Sequence, residues 1–63
     1  MNYNWRTLNK ELAHKNEAEV LALLNEERQI GKRATFLERL HQRYTTLRAA
    51  RERIELLREA KAP

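Results

Sequence analysis

The spacing of apolar residues along the chain predicts an all-α protein. Between Thr35 and Ala60, leucine and aromatic side chains recur every three or four residues, which is typical of one face of a helix. We therefore predict one long helix over residues 35–60. Its apolar face comprises Phe36, Leu37, Leu40, Tyr44, Leu47 and Ile54.

A middle helix over residues 17–29 is predicted from its end signals. Asn16 followed three residues later by Glu19 is a capping-box pattern, which typically starts a helix. Gly31, the one glycine of the chain, lies where a left-handed residue closes a helix. We therefore expect Gly31 to adopt a positive φ and to form the main turn.

Two further patterns complete the predicted architecture. Thr35 followed by Glu38 repeats the capping signal at the start of the long helix, and Leu8 and Leu12 have the spacing of a short N-terminal helix. The prediction is a helical hairpin with a short N-terminal helix, forming one domain over residues 1–63. This short helix could also be continuous with the middle one.

Helix lengths leave part of the long helix uncovered. At about 1.5 Å per residue it spans about 39 Å, and the middle helix about 20 Å. Ile54 and Leu57 must then be covered by the N-terminal segment or by a second copy of the chain. A heptad pattern along the long helix permits the second arrangement, so we expect a homo-oligomer. The candidate interface residues are Trp5, Tyr44, Leu47, Ile54 and Leu57.

Charge is concentrated in the second half of the chain. The net charge is +4, and nine basic residues face four acidic ones from residue 32 onward. Such asymmetry indicates an anionic partner, although solvated helix faces often carry arginine. The candidate surface comprises Lys32, Arg33, Arg39, Arg43 and Arg53. As solvated side chains, they should tolerate charge reversal without loss of the fold.

Residues able to support catalysis are nearly absent. Without cysteine there is no thiol nucleophile, and His14 and His41 do not have the spacing of metal ligands. Glu26 and Glu27 are adjacent, so on a helix their carboxylates diverge and cannot bracket one bond. We expect no enzyme activity, no cofactor and no metal.

Location follows from composition and segment patterns. Residues 1–6 lack the apolar run of a signal peptide, and no stretch of about 18 apolar residues predicts a membrane span. Absence of cysteine fits a reducing compartment. The expectation is a soluble, cytoplasmic protein that does not enter a membrane.

Three runs in the second half carry a resemblance to known proteins: Gly31–Thr35, Arg39–Tyr44 and Leu47–Arg53. Over Asn16 to Leu57 the chain resembles small helical proteins encoded by bacteriophages, most of which have no assigned function. The resemblance implies a role within an infected or lysogenic bacterial cell, but it implies no activity.

Together these observations predict a non-enzymatic helical interaction module. It would act by protein–protein binding or self-assembly, as a phage accessory or regulatory protein with a host or phage protein as partner. The alternative is a small basic protein that contacts nucleic-acid phosphates through the start of the long helix, where the helix dipole favours anions.

Overall fold

A computed structural model describes residues 4–61 and confirms the all-α prediction. Helix α1 spans Trp5–Leu12, α2 spans Glu17–Glu26 and α3 spans Ala34–Lys61. A π-helical turn over Glu27–Gly31 continues from the end of α2. Since α1 and α2 are separate helices, the described chain is a hairpin of α2 and α3 with α1 added at its N-terminus.

Side-chain caps begin the first two helices. The Asn4 side chain accepts a hydrogen bond from the Thr7 N–H at 2.8 Å. Asn16 accepts from the Glu19 N–H at 2.9 Å, and the Glu19 carboxylate accepts from the Asn16 N–H at 3.0 Å. The predicted capping box is therefore confirmed, because both backbone donors at the start of α2 are satisfied.

The chain reversal differs from its prediction. The α-helical part of α2 ends at Glu26 instead of Gln29, and the π-helical turn carries the chain to Gly31. The Lys32 N–H donates to the Glu27 carbonyl at 2.6 Å, and Lys32, with a φ of 51°, is the left-handed residue. A positive φ at Gly31 was a wrong prediction, because the wider π-turn moves the left-handed position one residue along the chain.

Helix α3 also begins one residue early. The Arg33 carbonyl accepts from the Leu37 N–H at 2.9 Å, so the helix starts at Ala34 and Thr35 lies inside its first turn. Because Arg33 is the N-cap, the predicted cap at Thr35 was wrong by two positions. Arg33 is held in place by contacts described below, and these fix where the helix starts.

The core lies at the N-terminal end of α3. Leu8 and Leu12 of α1, Val20 and Leu24 of α2, and Phe36 and Leu40 of α3 form it. Leu21, Leu23, Leu37, Tyr44 and Leu47 pack around this cluster. Since α1 packs at the start of α3, α1 does not cover Ile54, and the predicted arrangement with Trp5, Leu8 and Leu12 on the tail is wrong.

The second half of α3 extends away from the core. Every residue from Arg48 to Lys61, a segment called the tail below, is exposed. The ten residues after Arg51 add about 15 Å of helix, consistent with a longest molecular dimension of 49 Å. Among residues 4–61, no helix has the length and apolar character required to cross a membrane.

Candidate functional site

The start of α3 is fixed by an ion pair with a buried glutamate. Glu27 is 0% exposed, and its Oε1 accepts from Arg33 Nη2 at 2.8 Å. Its Oε2 accepts from Arg33 Nε at 3.2 Å and from the Arg33 backbone N–H at 3.0 Å. These donors hold the pKa of Glu27 below its ordinary value although burial alone would raise it, and the pair raises the pKa of Arg33.

Gly31 makes room for this carboxylate. A Cβ placed on Gly31 would lie 2.7 Å from Glu27 Oε1 and closer still to Oε2. At these separations a side chain fits only if the Glu27 carboxylate moves, so the advantage of glycine here comes from space and not from its φ. Gly31 therefore lies in the turn, as predicted, but with a negative φ and beside a buried carboxylate.

Arg33 also packs on an aromatic pair formed by Phe36 and Trp5. Its guanidinium carbon lies 3.6 Å from the centroid of the Phe36 ring, and the Trp5 ring meets Phe36 edge-on at 5.9 Å. Trp5 is 49% exposed, so one side of its ring remains open to solvent. Because Arg33 is used in this contact and in the pair with Glu27, it is not a solvated cation.

Arg39 is likewise engaged within the chain. Its Nε donates to the Asn9 side-chain oxygen at 2.6 Å, and its Nη1 donates to Gln42 at 3.4 Å. The first contact ties α3 to α1. An open groove of about 360 Å³ borders it, lined by Trp5, Thr35, Glu38, Arg39 and Gln42.

The five predicted cations therefore do not form one continuous surface. Arg33 and Arg39 are tied to neighbouring side chains, and Lys32 is exposed in the turn. Arg43 is half-buried, and its Nε is buried without a hydrogen-bond partner within residues 4–61. Arg53 is exposed on the tail, about 15 Å of helix beyond Arg43.

A second ion-pair cluster joins α2 to the middle of α3. Arg51 Nε and Nη2 donate to the two oxygens of Glu17 at 2.7 and 3.2 Å, and Nη1 donates to Glu55 at 3.0 Å. The pKa of Arg51 is raised, first by its bonds to Glu17. In the sequence, Arg51 projects toward the middle of the apolar seam, which suggests a frayed or exposed helix end or pairing with acidic groups, and the structure shows the pairing.

The predicted interface residues fall into two groups. Tyr44 and Leu47 pack against the core, and Trp5 packs against Phe36 at the opposite end of α3 from the tail. Ile54 and Leu57 are 53% and 54% exposed. With Leu47 and Ala50 they lie at a and d positions of one heptad pattern, and these four residues are called the stripe below. Leu56 is 63% exposed, but it lies on the opposite face of the tail.

Groups suited to catalysis are not brought together. Glu26 is exposed whereas Glu27 is buried. His14 lies in the turn after α1, His41 lies on α3, and both are exposed. Residues 4–61 contain no cluster of His, Cys, Asp or Glu that could hold a metal ion. The two candidate glutamates and the two histidines therefore do not form one site among the described residues.

No protein-family model, no curated protein and no solved structure matches this chain. The resemblance to bacteriophage proteins therefore stays a prediction. Any assignment of function depends on the geometry of α3 and its surroundings.

Proposed function

We propose that this protein is a non-catalytic interaction module that binds a helix of another polypeptide along the stripe. The observation that carries the proposal is the exposure of Ile54 and Leu57 at helical spacing, beyond the reach of the core. Fully burying a side chain of this size contributes about 1.5–3 kcal/mol. Half-exposed side chains therefore leave about 1 kcal/mol each for a partner to gain.

The tail is already helical before any partner arrives. Isolated helices shorter than about 12–15 residues are marginal in water, but this one continues from the packed half of α3 and needs no nucleation. Ion pairs between Arg48 and Glu52 at 3.3 Å and between Arg51 and Glu55 at 3.0 Å support it. Preorganisation of this kind lowers the entropic cost of binding.

Two sources of the partner helix fit this proposal. One is a second copy of the chain, as the predicted homo-oligomer requires, and the other is a host or phage protein. A cytoplasmic setting, in a bacterial host if the protein is phage-encoded, fits both, because a chain without cysteine has no disulfide that a reducing compartment would break.

Adjacent leucines provide a matched test. Leu57→Ser removes an exposed stripe side chain, and Leu56→Ser makes the same change on the opposite face. Sedimentation of each variant would measure self-association, and co-purification from cells that naturally make the protein would measure binding to other chains. We expect Leu57→Ser to lose the interaction and Leu56→Ser to keep it, with unchanged circular dichroism for both. Equal behaviour of the two variants would contradict the proposal.

Nucleic-acid binding, the alternative from a different class, has less support. Arg33 and Arg39, two of its five predicted contacts, are bonded to Glu27 and Asn9. Lys32 and Arg53 can be reversed to Glu without disturbing those bonds. If phosphates are bound, this variant should weaken binding to all sequences and reduce the salt slope by about one unit per lost contact. Binding to nucleic acid that shows this response would favour the alternative.

A further inference from the structure

We infer that the stripe binds an amphipathic helix whose flanks are acidic, supplied by a different protein and not by the tail of a second copy. This inference rests on the proposed function and adds the chemistry of the partner. The charges that border the stripe define this chemistry. In the heptad pattern with Ile54 at a and Leu57 at d, Arg53 occupies g and Arg58 occupies e, while Lys61 follows at the next a position.

Arg53, Arg58 and Lys61, called the border cations below, form no ion pair within residues 4–61. Two of the three tail carboxylates, Glu52 and Glu55, do form one. The ion pairs of the tail join Arg48 to Glu52 and Arg51 to Glu17 and Glu55. Arg53, Arg58 and Lys61 take part in none of them, and all three are exposed. The face that a partner helix would contact is therefore apolar in the middle and positive on both sides.

Pairing of two tails brings like charges together. In a parallel pair, the g position of one helix faces the following e position of the other, so Arg53 meets Arg58. In an antiparallel pair, the e positions of the two helices face each other. Both e positions of the tail, 51 and 58, are arginine, so Arg58 again meets an arginine. The glutamates at 52, 55 and 59 occupy b and f, away from the contact. No two-stranded register therefore brings a carboxylate of one tail to the stripe of the other.

In a partner helix with Glu or Asp at its own e and g positions, carboxylates face Arg53 and Arg58, so the repulsion between arginines is replaced by attraction. Exposed pairs of this kind are individually weak, so their main effects are on partner choice and on the rate of association. From Ala50 to Lys61, beyond the contact of Leu47 with the core, the helix rises about 17 Å, which matches about one and a half heptads of a partner. The apolar residues would supply most of the affinity, and the arginines would select the partner.

An anionic lipid surface is the other occupant that a basic amphipathic helix suggests, and the tail is poorly suited to it. Residues 48–61 contain no Trp, Tyr or Phe to enter the headgroup region, and they carry three carboxylates that an anionic surface repels. The stripe is also narrow, since Ala50 occupies one of its four positions. These features favour a protein helix over a membrane.

The direct test uses two synthetic three-heptad peptides with leucine at a and d. One carries Glu at all e and g positions, and the other carries Lys there. Fluorescence anisotropy with the full chain should show the acidic peptide binding about tenfold more tightly at about 0.1 M salt, and the difference should shrink at about 1 M salt. The variant Arg53→Glu/Arg58→Glu should reverse the preference. Lys10→Glu/Arg28→Glu, with the same change in net charge elsewhere, should not.

Other outcomes separate this inference from the proposed function. Equal binding of both peptides, lost in Leu57→Ser, would overturn the acidic partner and leave the interaction module. Self-association through the stripe without peptide binding would also overturn the acidic partner, and it would identify a second copy of the chain as the partner. Binding to vesicles of anionic lipid, with neither peptide bound, would overturn the inference in favour of a membrane. A monomeric chain that binds neither peptide nor vesicles would contradict the inference and the module together.

Discussion

Replacing Gly31 with alanine should destabilise the protein through Glu27. The added Cβ would lie 2.7 Å from Glu27 Oε1, and the carboxylate cannot move aside without losing its hydrogen bonds to Arg33. Overpacking a well-filled site costs about 1–3 kcal/mol, and the better helix propensity of alanine offsets up to about 1 kcal/mol. We expect a net loss of about 1–2 kcal/mol, or roughly 5–15 °C in melting temperature for a domain of this size.

Thermal and urea denaturation followed by circular dichroism would measure the effect of Gly31→Ala in two backgrounds. In the Glu27→Ala background the carboxylate is gone, so Gly31→Ala should be neutral or mildly stabilising. Equal losses in both backgrounds would refute the role of the carboxylate. Gly31→Asn gives a check within the wild-type background. A left-handed Gly31 would tolerate asparagine better than alanine, whereas the structure predicts that asparagine is at least as damaging.

Three further predictions concern the same end of the molecule and the middle of α3. Lys32→Gly should raise the free energy of unfolding by a few tenths to about 1 kcal/mol, because it relieves a left-handed backbone at a φ of 51°; a loss of stability in urea denaturation would contradict this. The pKa of Glu27 is lowered in the folded protein, so its stabilising contribution is present above the unfolded value, taken as 4.5, and is lost as pH falls through the folded value. The free energy of unfolding should therefore fall less steeply with decreasing pH in Glu27→Gln than in the wild type. An unchanged pH profile would count against the Glu27–Arg33 pair. Arg51→Met should speed hydrogen exchange in the first turns of α2 by releasing Glu17, and unaltered exchange would show that this contact contributes nothing.

Features that depend on local sequence were predictable. The capping box at Asn16 involves two residues three apart, and its geometry follows from the backbone donors that any helix start leaves unpaired. That the middle helix is too short to cover Ile54 and Leu57 followed from helix lengths alone. These predictions needed no knowledge of how the helices pack.

Features that depend on distant partners were not predictable. The π-turn and the position of the left-handed residue follow from the burial of Glu27, which in turn depends on Arg33 after the turn. Arg39 finds Asn9 thirty positions earlier in the chain. A pattern of charges shows which helix face is basic, but it cannot show which arginines are already bonded within the fold. Charge reversal at Arg33 should therefore damage the fold, contrary to the expectation from sequence, because it would leave a buried carboxylate facing another.

Interaction through the stripe is the central claim, and photo-crosslinking tests it most directly. A photoreactive phenylalanine analogue at position 57 lies on the stripe. The same analogue at position 56 is also exposed, but it lies on the opposite face of α3 and serves as the control. In cells that naturally make the protein, irradiation should give a discrete crosslinked product from position 57 and none from position 56. Absence of a product at position 57, or the same product from both positions, would contradict the claim.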